Sequence, residues 1–115
     1  ILLWERKMEL EVNFKDISNE MTNILEEKNK AYGNSFDLTM DKWGTNVAGA
    51  RLDDKINRID GMLQDGNLIK NGESLLDNLF DLSGYSFLLI RYLVNKGTFT
   101  EDQVRKYFAV LDNEW

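Results

Sequence analysis

Apolar residues return at helical spacing along most of this chain, and the faces they draw define its elements. Ile17, Met21, Ile24 and Leu25 share one face of a helix that runs to Tyr32, where Gly33 and Asn34 supply a stop and Asp16 or Ser18 a cap. Ala48, Leu52, Ile56, Ile59 and Leu63 mark a second helix, capped by Thr45 or Asn46. The segment from Glu73 to Val94 is the most apolar, with Leu75, Leu76, Leu79, Phe80, Leu82, Phe87, Leu89 and Ile90 on a helix capped by Asn71 or Ser74. A last helix opens on a capping box, Thr100 with Gln103, with Phe99 placed to staple onto Val104 and with Tyr107, Phe108 and Leu111 along its buried side. The spacing predicts helices over 17–32, 46–64, 73–95 and 100–112. Short connections between them make an all-α, compact bundle of about four helices, up-and-down in its simplest form.

Other segments give a weaker pattern. Met8, Leu10, Val12 and Phe14 alternate with polar residues as in a strand, while Trp4 and Met8 also fit a helical turn, so residues 1–14 read either as an N-terminal arm able to pack on another subunit or as a fraying terminus. Gly33 to Gly44 is rich in turn formers but carries Phe36, Met40 and Trp43, so it reads as a loop folded over core or ligand. Gln64 to Gly72, with its glycines, reads as a plain loop.

Charge changes the picture on two faces. Glu73, Asp77 and Asp81 stand four apart and line one edge of the apolar helix, while Arg51, Lys55 and Arg58, with Asp54 among them, line the edge of the second. Like charges at that spacing repel by roughly 0.2–0.5 kcal/mol per pair, so the acidic stripe is either solvated or answered by cations, and the basic edge is its natural partner. At 115 residues the chain fits a single domain, 1–115. Proline is absent, which leaves every helix unbroken.

Composition narrows the chemistry further. Without cysteine or histidine there is no thiol nucleophile, no Ser-His-Asp triad, no disulfide and no Cys/His zinc site. A net charge of -6 argues against long nucleic acid, whose binding rests on surplus Lys and Arg. No apolar run is long enough for a bilayer, and Ile1 to Trp4 is too short for a signal segment, so no membrane and a cytoplasmic location are expected. Magnesium takes one or two carboxylates plus substrate phosphates, so Glu26, Glu27, Glu73, Asp77 and Asp81 in a cleft can hold it, with Arg51, Lys55 and Arg58 on the phosphates. The opposing reading pairs the acids and bases as salt bridges between neighbouring helices.

Three segments in order, LEEKNKAYGNSFD (Leu25 to Asp37), RLDDKINRI (Arg51 to Ile59) and ESLLDNLFDLSGYSFLL (Glu73 to Leu89), resemble the nucleotide modification associated domain family found largely in bacteriophages. The likeness spans 17–94. It covers a K-N-x-x-Y-G element, an R-x-x-D-K-x-x-R helix and a D-x-x-x-D-L-x-x-Y helix. That family is distantly similar to the MazG-like all-α nucleoside triphosphate pyrophosphatases, and the resemblance implies carboxylate-bound magnesium, homo-oligomers and a nucleotide ligand. Lys28, Asn29, Tyr32, Gly33, Asn34 and Ser35 fall on the first motif, Arg51, Asp54, Lys55 and Arg58 on the second, and Asp77, Asp81 and Tyr85 on the third. Asn29 and Asn34 can bond a base or ribose, and Tyr32, Phe36 or Trp43 can stack on it. Ala31 stands where the family often has Asp, and Lys30 interrupts the E-E-x-x-E pattern of the pyrophosphatases after Glu26 and Glu27.

Three functions follow. One is a magnesium-dependent nucleotide pyrophosphohydrolase, with Glu27, Glu73, Asp77 and Asp81 catalytic, Glu73, Asp77 and Asp81 on the metal, and the basic edge on the leaving phosphate. Another is a non-catalytic phage protein that sequesters a nucleotide, for instance a cyclic signal of host immunity, in the host cytoplasm. The third is an interaction module whose charged stripes are salt bridges.

Overall fold

The computed structural model describes residues 10–108. Residues 1–9 of the expected arm and 109–112 of the expected last helix lie outside the described residues. Among the described residues the chain is all-α apart from one two-stranded hairpin. It divides into two units, residues up to Ser35 and residues from Phe36 onward.

The first unit is built on α1 (Phe14–Tyr32). The helix starts three residues earlier than its apolar period suggested, because Asn13 is the cap: its side chain accepts from the Asp16 amide at 2.9 Å while the Asp16 carboxylate accepts from the Asn13 amide at 3.1 Å. Asp16 thus closes the box from inside and is not the cap itself. Gly33 ends the helix in the left-handed conformation, as its position suggested. Met21 is buried, whereas Phe14 at the first turn is exposed.

The second unit begins within α2 (Ser35–Trp43) and continues through α3 (Asn46–Asp65), a hairpin of β1 (Ile69–Lys70) and β2 (Glu73–Ser74), α4 (Leu75–Asn95) and α5 (Glu101–Tyr107). Two segments read as loops are therefore ordered elements. Gly33 to Gly44 contains the nine-residue α2, with Met40 buried. The loop before α4 contains the hairpin, with Ile69 opposite Ser74 and Lys70 opposite Glu73 around an Asn71-Gly72 turn. Both turn residues have positive φ, 52° and 80°, which is the backbone that Asn-Gly adopts most readily.

Contacts fix the helix directions. Along α3 and α4, Arg51 meets Tyr85, Lys55 meets Asp81 and Met62 meets Asn78, so the two run antiparallel. Along α2 and α4, Phe36 lies beside Tyr85 and Asp41 beside Tyr92, so these run parallel. Within this unit α2, α3 and α4 alternate in direction, as an up-and-down bundle requires. Met40, Ala48 and Met62 are its buried apolar side chains among the described residues, and Asn78 is the buried polar one. The cap of α4 is Ser74, so Glu73 sits in β2 and not on the helix where its four-residue spacing had placed it. The box of Thr100 and Gln103 opens α5 as read from sequence.

Candidate functional site

The acidic and basic edges do face each other, and the partners are specific. The Lys55 ammonium lies 3.0 Å from Asp81. The Arg58 guanidinium reaches back one turn to Asp54 at 3.3 Å and across to both oxygens of Glu73 at 3.3 Å. Between these carboxylates its ionisation is pushed above the ordinary guanidinium value, Asp54 contributing most and Glu73 next. Of the two expectations for the acidic stripe, the structure shows cations answering Glu73 and Asp81.

Asp77 has a different task. Its Oδ2 accepts from the Ser74 amide at 2.9 Å and from the Ser74 hydroxyl at 3.0 Å, while the Asp77 amide donates to Ser74 Oγ. These bonds hold its carboxyl below the usual range. Glu73 is also pushed down, first by the hydrogen bond from Asn78 and then by Arg58. A general base works best near the operating pH, so Glu73 and Asp77 are shifted in the wrong direction for that role.

Nor do the carboxylates gather. Among the described residues no group of three or more acidic side chains is placed to hold a metal ion. Glu73 is on the hairpin strand, Asp77 is closed into the helix cap, and Asp81 is on Lys55. As arranged, these three carboxylates each have a different partner and are not gathered at one point. Glu27 lies on α1 in the first unit, with Lys28, Asn29 and Tyr32; Asn34 has a positive φ of 56°, and Ser35 opens α2.

Arg51 stands apart from the other two bases. Its guanidinium carbon is 5.7 Å from the centre of the Tyr85 ring, and its Nη1 donates to the Tyr85 hydroxyl at 3.4 Å. The Phe36 ring lies 6.4 Å from that of Tyr85, tilted by 33°. Among the described residues Arg51 has no carboxylate within ion-pair distance, and it is exposed. A cation held on an aromatic face without a neutralising acid is preorganised for an anion. Phe36, Arg51 and Tyr85, named separately by sequence, are thus one cluster.

Sequence reading missed Asn78. It is 1% exposed, and its Nδ2 donates to Glu73 Oε1 at 3.1 Å, the Ser74 carbonyl at 3.2 Å and the Met62 sulfur at 3.6 Å. Its place among the α4 residues that face α3 was the available signal. Also missed were the ties of α2 to α4. The Tyr92 hydroxyl donates to Asp41 at 2.7 Å, Lys96 pairs with the same carboxylate at 3.1 Å, and Arg91 pairs with Asp37 at 3.7 Å. Asp41 is held below its usual range by Tyr92 and then Lys96, and both partners are raised by Asp41 in return. Among the described residues no helix is long and apolar enough to cross a membrane. Compared with family models, curated proteins and solved structures, the chain matches none.

Proposed function

We propose that this chain binds a nucleotide on the α3 and α4 face of its second unit, with Arg51 as the phosphate contact. The supporting observation is the Arg51 guanidinium seated on Tyr85, beside Phe36, with no acid to neutralise it among the described residues. Lys55, Arg58 and Asp54 frame this contact as a paired network and do not themselves offer free charge. Lys28, Asn29, Tyr32, Asn34 and Ser35 enter the reading on the motif resemblance alone. So do magnesium, homo-oligomer formation and the phage setting.

Binding without turnover is the form favoured, because Glu73 and Asp77 are tuned to stay ionised and are occupied by Arg58, Asn78 and Ser74. A protein of this kind sequesters its ligand. Calorimetry with linear and cyclic nucleotides, with and without magnesium, is expected to give binding in the wild type. Arg51→Ala is expected to weaken it at least about tenfold, a loss of about 1.4 kcal/mol, with an unchanged melting temperature. The ligand recovered afterwards should be intact, and release of pyrophosphate and monophosphate would instead restore the pyrophosphohydrolase reading. No binding by any nucleotide would leave the interaction-module reading in its place, and equal binding by Arg51→Ala would overturn Arg51 as the phosphate contact.

A further inference from the structure

A recess of about 380 Å³ lies where the hairpin meets α3, lined on the helix by Asn57, Gly61 and Met62 and on the hairpin by Lys70, Asn71 and Glu73. It is at the small end of the range for ligand pockets. Its floor is fixed from behind, because buried Asn78 bonds both Met62 and Glu73. The unusual feature is Gly61, well inside a 20-residue helix, where glycine is less favourable than alanine. Packing does not require it, since a Cβ built there meets nothing within 4 Å. The missing side chain leaves the recess open, and Asn57 is one helical turn away on the same face.

The charges around the recess select the ligand. Arg58 and Lys70 are the cations, and Asp54, Glu73 and Asp65 are the carboxylates they pair with. With three acids to two bases there is no positive surplus for a phosphate. What the recess does present is two side-chain amides, Asn71 and Asn57, the latter donating one N–H to Asp53 at 3.3 Å and keeping its oxygen and second N–H, above a thioether floor in Met62. That is the complement of a planar, uncharged heterocycle with donors and acceptors on its rim. We infer that this recess takes the base and ribose end of the ligand, a single nucleoside unit, while Arg51 takes the phosphate end. The inference rests on the nucleotide reading above and assigns its polarity along α3. Arg51 precedes Asn57 by six residues and Gly61 by ten, or roughly 9 to 15 Å along the axis. A nucleoside polyphosphate has that reach.

The test uses ¹⁵N-labelled protein titrated separately with the common nucleosides, their triphosphates and inorganic tripolyphosphate. Nucleosides and triphosphates are expected to shift the amides of Asn57 to Met62 and of Lys70 to Glu73. Tripolyphosphate is expected to shift those around Arg51 and Tyr85. Gly61→Leu extends a side chain from a position whose Cβ meets nothing within 4 Å, so it should melt no lower than the wild type and bind triphosphates at least about tenfold more weakly. It should bind tripolyphosphate equally well. Asn71→Gly keeps the positive-φ turn while removing one amide, and is expected to weaken nucleosides in the same direction. If triphosphates bind but move other amides, or bind Gly61→Leu and Asn71→Gly as tightly as the wild type, the recess assignment is overturned and the nucleotide reading survives. If no nucleotide binds at all, both fall.

Discussion

At the residue scale, Asp77 shows how one environment changes the meaning of a side chain. Spacing alone made it the middle member of a metal-ready stripe. In the structure it is the reciprocal half of the α4 cap with Ser74. Removing the hydroxyl in Ser74→Ala is expected to lower stability by about 1 kcal/mol, read from the midpoint of urea unfolding. The pH dependence follows from Asp77, Glu73 and Asp41, all held below their ordinary values. A depressed carboxyl binds fewer protons in the folded state, so its contribution is fully present above the unfolded-state value near pH 4. It is lost as pH falls through the folded value. The melting temperature should therefore drop below about pH 4, and less steeply in Asp77→Asn. Lys96 and Tyr92 are raised, so their contribution is complete below about pH 10 and lost above it.

At the scale of elements, the long helices were legible because their apolar faces repeat over two or more turns, and over about four in α3 and α4, enough for the 3.6-residue period to stand out. The basic edge of α3 and its acidic counterpart could be paired by sign, although which acid met which base depended on where Ser74 started α4. The nine residues of α2 were hidden between Gly33 and Gly44, too short for a period and flanked by turn formers. The hairpin escaped because two-residue strands cannot show alternation, even with Asn71-Gly72 in plain sight. Two glycines make opposite predictions here. Gly72 has φ +80°, so Gly72→Ala should destabilise the hairpin, by about 1 kcal/mol or somewhat more. Gly61 has ordinary helical backbone and open space, so Gly61→Ala should stabilise the protein by roughly 0.5–1 kcal/mol. Thermal melts of the two variants, compared directly, check both signs.

At the scale of the whole molecule, few side chains among the described residues are fully buried and large apolar ones remain on the surface. On α4 alone Leu76, Leu79, Phe87 and Ile90 are each at least 42% exposed. At 100° per residue they fall on the side of the helix away from Asn78 and Asp81, with exposed Ser83 among them, and exposed apolar patches of this kind often mark interaction surfaces. The oligomer implied by the resemblance is expected to use it. Light scattering should give a mass above that of one chain for the wild type, and the mass of one chain for Leu79→Glu with Ile90→Glu. A wild-type protein that is monomeric at high concentration would remove the expectation.

The antiparallel pairing of α3 with α4 also bears on how the chain reaches its structure. Its side-chain contacts join residues close in sequence, 34 apart for Arg51 with Tyr85 and 16 for Met62 with Asn78. Closing such short loops costs little chain entropy, and topologies dominated by local contacts fold fast. The turn at Asn71-Gly72 brings the two helices together before α2 or α5 need be present. This hairpin of helices is therefore expected to form early in folding.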